Sequence, residues 1–292
     1  LISTYGDEAR FSSITATDEE HFLEWKDIYP ESFRQYSPPM GRERSQELLI
    51  QGMLAPEILL DIIRSFVVFK EDEGRSVIKV LCRYQQYRAV YKSIQRMLAG
   101  KSPDARSGVV WHTQGSGKSL TMVFLVRKMR FVKGLSDYKI LMVNDRIDLE
   151  EQLTETAQLT GETVLHINSS DKMKTELSKD DSVVAMVMIH KFFERDRDIP
   201  DYLQDIIAAE SKGEYRYKKD DLLPEYKLLD VVNPSEKILI LIDEAHRTQS
   251  SLLNLNMFNA FPNSTKIAFT GTPLITDKHS KKTHETFGTY ID

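Results

Sequence analysis

From Ser76 onward, short apolar runs alternate with amphipathic stretches, and this pattern predicts the main fold. Helical spacing lies between several of the runs, notably at Lys118–Phe131 and Ile147–Leu159. A charged, irregular stretch over Asp196–Glu236 is typical of a surface insertion. Because fully apolar strands that alternate with helices are typical of a parallel sheet, we predict an α/β domain whose sheet is covered by helices on both faces. The predicted strands are Gly108–His112, Lys139–Asn144, Thr163–Ile167, Val183–Ile189, Lys237–Ile242 and Lys266–Thr270.

The first part of the chain has a different pattern. Residues 1–45 are polar and rich in turn formers. The leucine-rich stretch Ser45–Phe69 predicts two short helices, the second of which begins at Pro56, since proline is favoured in the first turn of a helix. We therefore predict a helical connector within residues 1–75 and a larger domain over residues 76–292.

Composition excludes several classes of protein. The chain has 292 residues, 41% of them hydrophobic and 28% charged, which is ordinary for a globular protein. Its apolar runs are far shorter than the roughly 20 residues that span a bilayer, so we expect no membrane association. The single cysteine, Cys82, rules out an internal disulfide framework and favours a reducing, cytoplasmic location. The net charge of −5 argues mildly against nucleic-acid binding.

The strongest chemical motif follows the first predicted strand of the larger domain. In His112-Thr-Gln-Gly-Ser-Gly-Lys-Ser119, a glycine-containing loop leads into a helix that begins near Lys118. Backbone N–H groups in such a loop and a helix N-terminus bind phosphates, the lysine reaches the β- and γ-phosphates, and the serine hydroxyl binds Mg²⁺. His112 stands where the general pattern has glycine. The phosphate-binding residues predicted here are Gln114, Gly115, Ser116, Gly117, Lys118 and Ser119.

Two carboxylates follow another predicted strand, in Ile238-Leu-Ile-Leu-Ile-Asp-Glu-Ala-His246. Ligands of open α/β sheets bind at the carboxyl ends of the strands. We therefore predict that Asp243 holds Mg²⁺ and that Glu244 orients and deprotonates the attacking water. His246 would sense the γ-phosphate. Together with the phosphate loop, these residues predict a site that binds and hydrolyses ATP.

The Asp-Glu-Ala-His motif resembles that of superfamily 2 helicases and translocases. Lys266-Ile-Ala-Phe-Thr-Gly-Thr-Pro273 resembles their third motif, and the resemblance implies that Thr270 and Thr272 couple the nucleotide to the DNA-facing side. It also implies a RecA-like P-loop domain.

A sharper resemblance is to the restriction (HsdR) subunit of type I restriction–modification enzymes, and it covers nearly the whole chain. Besides the loop and its following Leu120-Thr-Met122, it rests on Arg83-Tyr-Gln-Gln86, which resembles the adenine-recognition segment of that family. The resemblance implies that Arg83 and Gln86 contact the adenine. Further matching segments imply DNA-side contacts, and the candidates in them are Asp145, Arg146, His190 and Lys191.

Upstream, Glu20-His-Phe-Leu-Glu-Trp-Lys26 resembles the junction between nuclease and motor in that family. The family implies ATP and Mg²⁺ as cofactors, double-stranded DNA as the track, and methyltransferase and specificity subunits as partners. It also places a nuclease before the junction and a second RecA-like lobe after the third motif, and we expect both to lie outside residues 1–292.

Other interpretations stay open. The chain could belong to another superfamily 2 translocase of repair or remodelling, although the junction motif argues against this. A P-loop kinase for a small molecule is disfavoured by the paired Asp243 and Glu244. An architectural remnant without nucleotide is disfavoured by the intact loop. The triplet Glu24-Trp-Lys26 could mimic a Mg²⁺ nuclease site, but such triplets are common.

Overall fold

The computed structural model describes residues 1–13, 15, 21–30, 45–71, 77–113, 115–144, 158–192, 229–243, 252–271 and 287–292, and leaves undescribed the side chains of His190 and of 252–254. In the described part, a six-stranded parallel sheet has the strand order β5-β10-β9-β6-β8-β7. Its strands are β5 (Gly108–Trp111), β6 (Lys139–Asn144), β7 (Val164–Ile167), β8 (Val184–Met188), β9 (Ile238–Ile242) and β10 (Thr265–Thr270).

All six strands predicted from the apolar runs are confirmed, with their ends within one residue of the predicted ones. The helices of this domain are α3 (Tyr84–Ala99), α4 (Pro103–Arg106), α5 (Lys118–Arg130), α6 (Ser170–Leu177) and α7 (Leu252–Ala260). Helix α5 matches the predicted Lys118–Phe131. Most of the predicted helix Ile147–Leu159 and of the insertion Asp196–Glu236 lies outside the described residues.

Both faces of the sheet are covered, as predicted. Successive residues of each strand point to opposite faces, and the buried side chains accordingly form two separate clusters. On one face, Met142 and Leu241 pack with residues of α3 and α5. On the other, Val143 packs with residues of α6 and α7, including Met173 and Met257. Burial on both faces explains why these strands are continuously apolar in sequence.

The connector differs in part from its prediction. It begins with α1 (Ser45–Leu48) and a π-helical turn, followed by α2 (Pro56–Ser65), so the start at Pro56 is confirmed. The second helix was predicted to reach Phe69, which is wrong. Val67–Glu71 forms strand β3 instead, antiparallel to β4 (Val77–Leu81). The two valines of this segment favour a strand, and β4 provides the cross-strand side-chain contacts that stabilise it.

A further hairpin, β1 (Ile2–Tyr5) with β2 (Glu8–Phe11), opens the chain and was not predicted. The β3–β4 hairpin spans the predicted boundary at residues 75 and 76, whose division of the chain stays a prediction.

Connector and sheet domain share one core. Phe66 lies with its ring centroid 4.9 Å from that of Tyr87 and 5.5 Å from that of Phe124. Asp61 of α2 forms an ion pair with Lys128 of α5 and accepts a hydrogen bond of 3.3 Å from the Tyr87 hydroxyl. The connector is therefore packed directly against the helices that flank the phosphate loop.

Candidate functional site

The candidate site lies at the carboxyl edge of the sheet. All strands are parallel, so the loop after β5, Thr270 at the end of β10 and Asp243 after β9 meet at one edge. The backbone N–H of His112 donates to the Thr270 carbonyl (3.1 Å), and that of Asp243 donates to the Val143 carbonyl (3.2 Å). The register of the sheet thus places the two predicted ATP motifs on strands separated only by β10.

Backbone geometry shapes the loop that precedes α5. Gly115 and Gly117 have positive φ angles of 79° and 82°, a region that residues with a Cβ adopt at a cost. Gly117 is the N-cap of α5, and its carbonyl accepts hydrogen bonds from both the backbone N–H and the hydroxyl of Thr121. The N-terminus of this 13-residue helix therefore opens directly into the loop, where its dipole favours an anion.

The side chains around the loop fit a magnesium nucleotide. The hydroxyl of Ser116 is buried and, among the described residues, has no hydrogen-bond partner, so a phosphate oxygen would supply the missing acceptor. Lys118 is 8% exposed and Ser119 is half-buried at the first turn of α5. Asp243 is 9% exposed at the same edge. One cation, two hydroxyls and one carboxylate are the donor set that phosphates and Mg²⁺ need.

Gln86 lies between the start of α3 and the loop. It is 2% exposed; its carbonyl accepts from the Arg83 backbone N–H (2.8 Å), and its amide donates to the carbonyls of Ser116 (3.3 Å) and Gly117 (3.0 Å). Both ends of the amide are therefore engaged within the protein. Its contact with adenine stays a prediction, and the structure gives Gln86 a second role as a brace of the loop.

This brace gives a matched pair of glycine substitutions. A Cβ added at Gly117 would lie 2.6 Å from the Gln86 amide nitrogen, whereas at Gly134, which lies outside the loop and has a φ angle of 89°, it would meet no described atom within 4 Å. Both Gly→Ala variants should lose about 1 kcal/mol of stability because of their positive φ. Only Gly117→Ala should also weaken Mg·ATP binding, by roughly tenfold or about 1.4 kcal/mol. Calorimetric titration and urea unfolding of both variants measure this, and equal affinities would show that the brace has no effect on the site.

Arg83 is exposed, in contrast to Gln86, and it lines a cavity of about 360 Å³ beside the start of α3. Glu24 and Lys26 line the same cavity and pair with each other at 3.0 Å. Within the described ranges, no group of three or more His, Cys, Asp or Glu residues is arranged to hold a metal, so the geometry adds nothing to the nuclease interpretation of the Glu24-Trp-Lys26 triplet.

The DNA-side candidates follow the other half of the sheet. Lys191 is half-buried in the 3-10 turn Ile189–Phe192 after β8, and its carbonyl accepts from the Ser170 hydroxyl (2.9 Å). The backbone of His190 lies in the same turn. Strand β8 lies on the far side of β9 from β5, so the turn after β8 lies at the same edge of the sheet as the loop but several strands away from it. Several predicted residues lie outside the described part, namely Gln114, Asp145, Arg146, Glu244, His246 and Thr272.

A buried charge cluster beside the loop was missed by the sequence analysis. The Asp292 carboxylate accepts from Arg88 (2.8 and 3.1 Å) and Lys92 (2.6 Å) of α3 and faces the His112 ring nitrogen Nε2 at 3.7 Å. Burial alone would raise the pKa of Asp292, but its contacts with His112, Arg88 and Lys92 hold that pKa well below its usual range. Nothing in the local sequence pattern links these residues, which are about 200 positions apart.

The sequence of this chain is similar to those of known protein families. A model of the SWI2/SNF2 ATPase family matches residues 85–292. The chain is 31% identical to the HindI type I restriction enzyme endonuclease subunit of Haemophilus influenzae over 310 residues, which cover 100% of this chain and 26% of that protein. It is 27% identical to the MjaIXP endonuclease subunit of Methanocaldococcus jannaschii, again with 100% and 26% coverage. The predicted resemblance to type I restriction subunits is confirmed, and the chain spans about a quarter of the length of these relatives.

Some solved structures align with this chain at low sequence identity. The UvsW helicase of bacteriophage T4 aligns with a TM-score of 0.41 at 13% identity, covering 81% of this chain and 67% of that one. A nuclease-deletion mutant of the Type ISP restriction–modification enzyme LlaGI, solved with a DNA substrate mimic, aligns with a TM-score of 0.43 at 16% identity, covering 73% and 19%. In the described part, no helix is long and apolar enough to cross a membrane.

Proposed function

Since this chain belongs to the SWI2/SNF2 ATPase family, we propose that it is the nucleotide-binding part of an ATP-driven DNA translocase of the type I restriction class. One observation carries the proposal: the loop of Gly115 to Ser119 and the carboxylate of Asp243 lie at one edge of a parallel sheet, and Lys118 is buried at the start of the helix that follows the loop. A kinase-like loop alone would not require two consecutive carboxylates, Asp243 and Glu244, directly after an apolar strand in the sequence.

Each residue has a defined task in this proposal. The loop N–H groups, the N-terminus of α5 and Lys118 bind the β- and γ-phosphates. Ser119 and Asp243 would hold Mg²⁺, which when bound neutralises phosphate charge. Glu244 accepts the proton of the attacking water, while His246, Thr270 and Thr272 relay the state of the site towards the DNA side.

Movement along duplex DNA is the finer part of the proposal. It is supported by similarity to type I restriction subunits over the whole chain. The residues proposed to face the DNA are Asp145, Arg146, His190 and Lys191, which follow β6 and β8 in the sequence. Methyltransferase and specificity subunits are the proposed partners. We also propose a cytoplasmic location, which the single cysteine favours.

Two measurements test this function. Titration calorimetry should show that the chain binds Mg·ATP with one site, and the absence of any binding would overturn the proposal at its base. In the full-length protein that contains this chain, duplex DNA should stimulate ATP hydrolysis, and the rate should fall as salt rises, because phosphate contacts depend on counterion release. Binding of ATP without any response to DNA would support the nucleotide-binding part of the proposal and contradict the translocase part.

Base selectivity tests the roles of Gln86. Gln86→Ala should bring the affinities for Mg·ATP and Mg·CTP close together, because an amide pairs with the donor and acceptor of adenine. It should also weaken both, since the brace to Ser116 and Gly117 is lost. Competition against a fluorescent nucleotide separates the two effects, because selectivity is a ratio. An unchanged ratio would mean that another residue recognises the adenine. Arg83→Ala is the variant to measure next, because Arg83 is the other residue predicted to contact the adenine.

A further inference from the structure

Residues from four separate parts of the chain meet behind the phosphate loop. Arg88 of α3 donates to Asp292 and, through its other nitrogen, to Asp27 at 2.8 Å. Asp27 directly follows Glu20–Lys26, the stretch that resembles the nuclease-to-motor junction, and we call the described residues 21–30 the junction segment. Lys92 completes the charge balance of two carboxylates and two cations. We call Asp27, Arg88, Lys92, Asp292 and His112 the junction cluster.

The junction cluster is buried at its carboxylates and its imidazole. The side chains of Asp292 and His112 are 3% and 5% exposed and that of Asp27 is 14% exposed, whereas those of Arg88 and Lys92 are 31% and 33% exposed. Ion pairs that are partly shielded from water are screened less by salt than fully exposed pairs. A chain of charges therefore runs from the junction segment through α3 to the residue at which β5 becomes the phosphate loop.

His112 is the member of the junction cluster whose side chain lacks a hydrogen bond in the described part. Both of its ring nitrogens are buried and lack a hydrogen-bond partner in the described part, and its Nε2 is 3.7 Å from Asp292, beyond hydrogen-bonding range. Buried polar groups are normally paired, so an unpaired imidazole facing a buried carboxylate needs an explanation. A shift of less than about 1 Å would bring it to the usual hydrogen-bond distance.

His112 is the residue at which β5 meets the loop. Its backbone N–H donates to Thr270 of β10, and the next residue, Thr113, accepts from the Ser116 N–H at 3.1 Å. The side chain that faces Asp292 therefore belongs to the residue directly before the loop's own hydrogen bonds.

From these contacts, we propose that Asp292 is a positioning residue for the phosphate loop, acting through His112, and that Arg88 and Asp27 extend this control to the junction segment. The inference rests on the proposed nucleotide function and deepens it, because it makes the junction segment a regulator of nucleotide affinity. In this proposal, a change at Asp27 reaches the loop through Arg88, Asp292 and His112.

The test uses Asp292→Asn, Asp27→Asn and their double variant. Each single variant removes a negative charge with little change of shape, and each should weaken Mg·ATP binding about three- to tenfold, since residues of one network couple. The loss of Mg·ATP affinity in the double variant should be smaller than the product of the two single losses, because both residues act through the same contacts. Glu162→Gln, which removes the carboxylate paired with Arg130 at 2.6 Å away from the loop, is the matched control and should leave the affinity unchanged.

A readout without nucleotide separates positioning from general stability. The N–H groups of Ser116 and Thr121 form hydrogen bonds within the loop and the helix that follows it. Their amide hydrogen exchange should be faster in both single variants than the change in the global free energy of unfolding accounts for. Glu162→Gln should leave it unchanged. If these variants lower stability but preserve loop exchange and the affinity of the folded protein, the cluster is merely structural and the inference is overturned. If the parent chain itself binds no Mg·ATP, the proposed function fails instead, and loop exchange still decides the positioning role.

Discussion

Lys118→Ala is expected to weaken Mg·ATP binding by roughly 30- to 5,000-fold, the effect of removing one partner from a buried, hydrogen-bonded charge pair. Lys118 is 8% exposed at the first turn of α5, and it is the sole lysine or arginine between His112 and Ser119. Water cannot replace its charge well at so buried a position. The measurement is titration calorimetry with Mg·ATP and Mg·ADP.

Lys133→Ala is the control for this experiment. Lys133 follows α5 on the exposed surface, so the same truncation there should leave the affinity unchanged. The folded state of both variants is checked by their unfolding transitions. Equal affinity of the parent and Lys118→Ala would refute the phosphate-loop assignment, whatever the chain binds elsewhere.

Glu244→Gln is expected to reduce ATP hydrolysis by about 10²- to 10⁴-fold, the usual contribution of a general base, while Mg·ATP binding is retained. The amide is nearly the same size as the carboxylate but cannot accept the proton of the attacking water. Asp243→Asn should behave differently, because a metal ligand lost at Asp243 weakens the binding of the magnesium nucleotide itself. Steady-state hydrolysis and calorimetry on the same samples distinguish the two.

The control lies at the opposite end of the same strand. Glu236 is exposed just before β9 and pairs with Arg106 at 2.6 Å, so Glu236→Gln should leave the hydrolysis rate unchanged. Rapid hydrolysis by Glu244→Gln would assign the base to another residue. Loss of binding together with hydrolysis would instead make Glu244 a ligand rather than a base.

The sequence by itself determined the sheet and the two ATP motifs. Strands buried on both faces are largely apolar, so runs such as Ile238–Ile242 could be recognised without any knowledge of their neighbours. The loop at Gly115 to Ser119 is equally local, because phosphate binding depends on consecutive backbone groups and a helix start. Helix α5 and the second connector helix began at the predicted residues for the same reason.

Only the tertiary structure decided how distant residues meet. The run Val67–Phe69 is compatible with a helix end or a strand, and its pairing with residues 77–81 made it a strand. Gln86 is engaged by carbonyls about 30 residues away, and Asp292 reaches His112, Arg88 and Lys92 across about 200 positions. Local patterns carry backbone propensity and burial, whereas ion pairs and cross-strand contacts depend on which segments the folded sheet brings together.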